Sequence, residues 1–144
     1  MNISKLTTYQ AGASQARFNR KLQMLSDHIL EPYGITKMQW LIIGSVLDTQ
    51  EHGVRLSELA DKLGTSMPYL TTTINLLESK GILVRENSTK DTRAKIIRVN
   101  KNYQRTCKKI EEDLRAGLRK EIYAKIDPAE FRVYLKVMQQ LAED

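Results

Sequence analysis

The sequence predicts a mainly α fold: a helix-turn-helix followed by a small β-hairpin wing, with further helices at both ends. Three observations predict it. Apolar residues recur at helical spacing through most of the 144 residues. Two short amphipathic segments meet at Gly64 across a tight turn. After Gly81 the apolar pattern changes to that of strands flanking a polar tip.

The first segment, Ile3 to Leu30, reads as a long helix. Phe18, Leu22, Leu25 and Ile29 form one stripe, and Leu6, Tyr9 and Ala13 continue it weakly. Glu31-Pro32-Tyr33-Gly34 ends it, because Pro disfavours helix at the residue before it and Gly tolerates positive φ. Thr36 is placed to cap a second helix to about Thr49, with Met38, Leu41, Ile42, Val46 and Leu47 facing inward. His52-Gly53 makes a turn, and Val54-Arg55-Leu56 suits a short strand. Ser57 is the expected cap of a short helix to Leu63, which Gly64 breaks. Ser66 caps the next helix, Pro68 sits in its first turn, and Leu70, Ile74 and Leu77 face the core as far as Lys80.

Ile82-Leu83-Val84-Arg85 and Ile96-Ile97-Arg98-Val99 are apolar and β-branched, and residues 87–92 between them are polar turn chemistry. Asn100 then opens a helix of about 25 residues carrying Tyr103, Cys107, Ile110, Leu114, Leu118, Ile122 and Ile126. Asp127 with Pro128 starts a last helix with Phe131, Leu135, Met138 and Leu141 at helical spacing. These terminal stripes need a partner, either each other or a second copy of the chain.

Charge and composition narrow the function. The whole chain carries +6, but residues 80–109 hold ten cations against Glu86 and Asp91 and net +8, leaving the remainder at −2. A solvated surface explains most charge runs; a basic block centred on a hairpin also suits nucleic acid. No run is apolar enough to span a bilayer, no signal peptide is evident, and one cysteine suits a reducing cytosol. The expected location is cytoplasmic, with no membrane partner.

Within this order of elements, Leu77-Glu78-Ser79-Lys80-Gly81-Ile82-Leu83-Val84-Arg85 and Asp91-Thr92-Arg93-Ala94-Lys95 resemble the recognition-helix end and the wing motif of MarR-family transcription regulators. The architectural resemblance covers nearly the whole chain and is specific from Leu56 to Val99. It implies a single unit over 1–144, with a winged helix-turn-helix DNA-binding lobe at 36–99 and a helical dimerisation region from 1–32 and 100–144. It further implies a homodimeric repressor on a pseudo-palindromic site of double-stranded DNA, relieved by a small aromatic or anionic effector. Two departures stand out: Asn100 and Tyr103 replace the family's frequent Thr and Gly, and Met67 to Leu77 contains no Arg or Lys.

The second helix of a helix-turn-helix enters the major groove, so Ser66, Met67, Tyr69, Thr71, Thr72 and Asn75 are candidate DNA contacts; a plain polar face is the alternative. Lys90, Arg93 and Lys95 are candidates for minor-groove or phosphate contact, with Arg98, Ser57 and Lys62 weaker ones. The resemblance implies that Asp91 pairs with Arg93 and shapes the wing. It also places an effector near Arg17, Met24, His28, Tyr33, Met38 and Trp40, residues that equally suit a core. Cys107 lies on an apolar stripe among Arg105, Lys108 and Lys109, so inert packing competes with redox sensing. An enzyme is not expected: two histidines, no metal-ligand spacing and no phosphate-binding Gly loop imply neither metal nor cofactor. The rival function is a winged-helix module that binds protein through the same basic surface.

Overall fold

A computed structural model describes residues 2–49, 52–87 and 95–143. The helices are α1 (Thr8–Leu30), α2 (Lys37–Asp48), α3 (Leu56–Leu63), α4 (Met67–Ser79), α5 (Gln104–Glu121) and α6 (Pro128–Ala142). The strands β1 (Leu83–Asn87) and β2 (Lys95–Val99) pair antiparallel, with Leu83 opposite Val99 and Asn87 opposite Lys95. The chain divides into two compact units. One runs from Leu30 to Glu111; the other joins residues up to Ile29 with those from Glu112 onward. Among the described residues no helix is long and apolar enough to cross a membrane.

The central unit is built on α2, α3, α4 and the hairpin. Thr36 and Gln39 form a reciprocal capping box: Thr36 Oγ1 accepts from the Gln39 backbone N–H, while Gln39 Oε1 accepts from that of Thr36. These bonds satisfy two donors that a helix start otherwise leaves unpaired. Ile42, Ile43 and Val46 of α2 are fully buried with Leu59, Leu70, Ile74 and Leu77, beneath Leu83, Ile97 and Val99 of the hairpin. Leu41, expected inside, is exposed instead, and its neighbour Ile43 takes the core position.

Two further expectations are corrected around α3. The segment Val54-Arg55-Leu56 does not form a strand: Val54 makes one isolated bridge to Ile97, and Leu56 already begins α3. Arg55, not Ser57, is therefore the N-cap, and it makes no side-chain capping bond. Gly64 ends α3 at φ 60°, a left-handed conformation that costs glycine little, and turns the chain into α4. The Ser66 hydroxyl accepts from the Tyr69 backbone N–H at 3.3 Å, as a cap should, and Pro68 lies in the first turn.

The helices towards the two ends of the chain depart from expectation at four places. The first long helix begins at Thr8 after a separate 3-10 turn, Ile3–Lys5. Thr7 and Gln10 set that start by exchanging side-chain and backbone hydrogen bonds at 3.1 and 3.0 Å. Asn100 caps a 3-10 turn, Lys101–Tyr103, ahead of α5 rather than α5 itself. The 25-residue helix also stops early, at Glu121, where Ile122 leaves helical geometry at φ −125° and a 3-10 turn, Tyr123–Lys125, follows. Four successive apolar residues spaced by four drift around a 3.6-residue helix, so Leu114 to Ile126 cannot hold one face. Breaking the helix lets the Tyr123 ring approach Phe131 at 4.3 Å, beside Tyr134, which also meets Phe18 edge-on at 6.2 Å. Asp127 caps α6 by accepting from the Ala129 and Glu130 backbone N–H groups. Phe131 and Leu135 are half-buried on α6, while Met138 and Leu141, expected on the same apolar face, are exposed.

Candidate nucleic-acid interface

The candidate surface is the outer face of α4 and the hairpin that follows it. Leu70, Ile74 and Leu77 turn one side of α4 into the core, which fixes the opposite side outward. On that side lie Pro68, Tyr69, Thr72, Asn75, Leu76 and Ser79, all exposed. Thr73 is buried and its hydroxyl donates to the Tyr69 carbonyl at 2.9 Å. The Thr72 hydroxyl likewise donates back, to the Pro68 carbonyl at 3.0 Å.

Arg85 of β1 reaches over to α4. Its guanidinium lies 2.8 Å from the Glu78 carboxylate, at an angle outside hydrogen-bond geometry, and donates to Asn75 Oδ1 at 3.3 Å. The Lys80 ammonium donates to the Gly34 carbonyl at 2.9 Å, fixing the far end of α4. On the hairpin, Arg98 donates to Glu86 at 2.9 Å. Two basic side chains of the charged block are thus held by acids on the same surface, and each such pair stabilises by at most about 1 kcal/mol.

Of the residues expected to meet DNA, Ser66 serves as the α4 cap; Met67, Tyr69, Thr72 and Asn75 stand exposed; Thr71 is half-buried. Lys90, Asp91 and Arg93 lie outside the described residues, and Lys95 is described only as a β2 backbone position opposite Asn87. Ser57 and Lys62 are exposed on α3. Sequence reasoning missed Arg85 and Leu76. Leu76 continues the spacing of Tyr69 and Thr72, at three and then four residues, so the helical period alone would have placed it on their outer face. Arg85 had no such signal, since its tie to Glu78 and Asn75 depends on how β1 folds back beside α4.

The expected effector residues divide between the units. Arg17, Met24 and His28 share an exposed face of α1, whereas Tyr33, Met38 and Trp40 are half-buried in the central unit. Cys107 is buried, and burial pushes its thiol up to about 11, which leaves little thiolate for oxidation at neutral pH. Among the described residues no cluster of three or more His, Cys, Asp or Glu could hold a metal.

Residues 33–94, which include α2, α3, α4 and β1, match the family model described as MarR family. Over those residues the chain is similar to the MarR family. Solved MarR-type structures share its fold along nearly its whole length. AbsC, a MarR family transcriptional regulator from Streptomyces coelicolor, is 22% identical with a TM-score of 0.78, over 95% of this chain and 94% of that one. CouR from Rhodococcus jostii RHA1, solved with p-coumaroyl-CoA, is 18% identical with a TM-score of 0.80, over 92% and 91%. A MarR variant from E. coli, complexed with operator DNA, is 20% identical with a TM-score of 0.77, over 90% and 91%.

Proposed function

We propose that this chain is a sequence-specific, double-stranded-DNA-binding transcriptional regulator, acting as a dimeric repressor of a pseudo-palindromic operator that a small molecule relieves. One observation carries the reading: the outer face of α4 stands exposed at the start of the chain's basic block, within a winged helix similar to the MarR family. A cation-rich hairpin neutralises phosphate and sets the register, while the helix contributes sequence discrimination. In this reading 36–99 is the DNA-binding lobe, and 1–32 with 100–144 the dimerisation region. Lys90, Arg93 and Lys95 approach phosphate or the minor groove, with Asp91 shaping the wing around Arg93. The DNA complex of the E. coli relative and the acyl-CoA complex of CouR support the DNA and effector parts by likeness of fold. Arg17, Met24, His28, Tyr33, Met38 and Trp40 remain the residues we assign to effector response.

The test is a salt titration with duplexes taken from beside the chain's own gene. Preference for one palindrome, lost steeply as salt rises, supports the reading; equal binding to random duplex defeats it, and a protein-interaction module then takes its place. Arg93→Ala is expected to weaken DNA binding and leave the sedimentation of the dimer unchanged.

A further inference from the structure

We propose that the outer face of α4 reads the 5-methyl groups of thymine in the major groove, through Leu76, Thr72 and Tyr69. This rests on the DNA-binding reading above and adds the class of base the helix selects. Tyr69 and Leu76 are 45% and 42% exposed, a large apolar area for a helix whose other side is fully packed. Between them stands Thr72, one turn from each.

The hydrogen-bonding groups on this face are largely committed to the protein. The Thr72 hydroxyl hydrogen is given to the Pro68 carbonyl and that of Ser79 to the Leu76 carbonyl, at 3.0 and 2.6 Å. The Asn75 oxygen already accepts from Arg85. No Lys or Arg occurs between Met67 and Ser79, so the bidentate pairing that selects guanine O6 and N7 is missing from this helix. Beside the Asn75 amide N–H groups and the Tyr69 hydroxyl, what it offers outward is carbon: Thr72, the Leu76 isobutyl group and the Tyr69 ring. The thymine methyl is the one apolar feature on the major-groove edges of the four base pairs, so a carbon surface discriminates there or nowhere. Charge complementarity commits this face to DNA, because it borders the segment that holds ten of the chain's cations.

The probe is the duplex that the full-length chain enriches from a random-sequence library, resynthesised with deoxyuridine for thymine at one position at a time. Uracil pairs identically and lacks only the methyl. We expect about a fourfold loss of affinity per contacted methyl, ~0.8 kcal/mol. Leu76→Ala and Thr72→Ser separate this from altered DNA shape. Both positions are exposed, so folding should survive, which far-ultraviolet circular dichroism checks. Thr72→Ser keeps the hydroxyl and removes the methyl. Each variant is expected to bind the thymine duplex about fourfold more weakly and to be indifferent to deoxyuridine at its own contact. If wild type binds the thymine and deoxyuridine duplexes equally, or if the variants keep their full penalty on the deoxyuridine duplex, methyl reading is wrong while DNA binding stands. If the library yields no enriched duplex, the regulator reading fails with it.

Discussion

A methyl group at Gly53 would land on the Ile96 side chain of β2, and the residue sits at φ 73°. Gly53→Ala therefore meets two penalties, backbone strain and a clash against a strand that also bridges Val54. We expect a loss of about 2 kcal/mol or more by urea denaturation. Tyr103 presents the opposite case. Its hydroxyl is buried with no hydrogen-bond partner among the described residues, and burial raises its pKa, with neighbouring Cys107 adding to the rise. Tyr103→Phe removes the unsatisfied group while keeping the ring, so it should raise stability by about 1 kcal/mol, read in the same measurement. Cys107 itself gives a kinetic prediction. With the thiol pushed up to about 11 from 9.0, its thiolate at pH 8 is scarcer by about a hundredfold. Iodoacetamide should label it that much more slowly in the folded chain than in urea, and rapid native labelling would revive the redox reading. The sign for stability follows. Folding favours the neutral thiol, so this contribution is complete below pH 9 and is lost as pH rises towards 11.

Among elements, α4 is the one whose sequence says most about itself and least about its surroundings. Ser66, Pro68 and the stripe Leu70, Ile74 and Leu77 specify its start, direction and buried side, and all appear where the spacing puts them. Such features are local, and local chemistry is legible in sequence. The Arg85 bridge to Glu78 and Asn75 joins residues of two elements, and no periodicity encodes it. The same distinction explains α5. Its apolar positions are readable, but where it ends depends on Tyr123 reaching Phe131 across a break that only aromatic packing justifies. In α3, a good capping residue at Ser57 lost to a helix beginning two residues earlier, with Arg55 as its cap and Leu56 in its first turn. Because Arg85 orients Asn75 as well as carrying charge, Arg85→Lys is expected to be only a partial replacement. Lys keeps the cation but loses the planar guanidinium, one of whose terminal nitrogens meets both partners. DNA affinity should fall several-fold with Arg85→Ala and recover incompletely with Lys, a split that a pure charge contact would not produce.

At the scale of the whole molecule, the basic block and a second exposed apolar surface, on α6, lie at different places in the chain. The basic block runs through 80–109, whereas Val133, Val137 and Leu141 form an exposed apolar stripe on α6, spaced by four residues. Residues 131 and 135 of that helix are half-buried against their own chain, so the stripe is a second apolar side that one copy leaves in water. Apolar surface of this kind is a liability for a monomer and an interface for a dimer. The sequence showed the helix but not this side of it, because the residues at 131, 135, 138 and 141 look like one core stripe until Tyr123 and Tyr134 claim Phe131. Within the proposed dimer, α6 bears on DNA binding only through symmetry: two recognition helices about 34 Å apart engage both half-sites, and one alone engages half. Placing Asp at 137 and 141 together should therefore shift sedimentation towards the monomer. Affinity for a full palindrome should fall by at least about a hundredfold, while the weak binding of an isolated half-site persists. Loss of half-site binding as well would mean that α6 supports the fold of the winged helix rather than its pairing, and an unchanged dimer would move the interface elsewhere in the terminal helices.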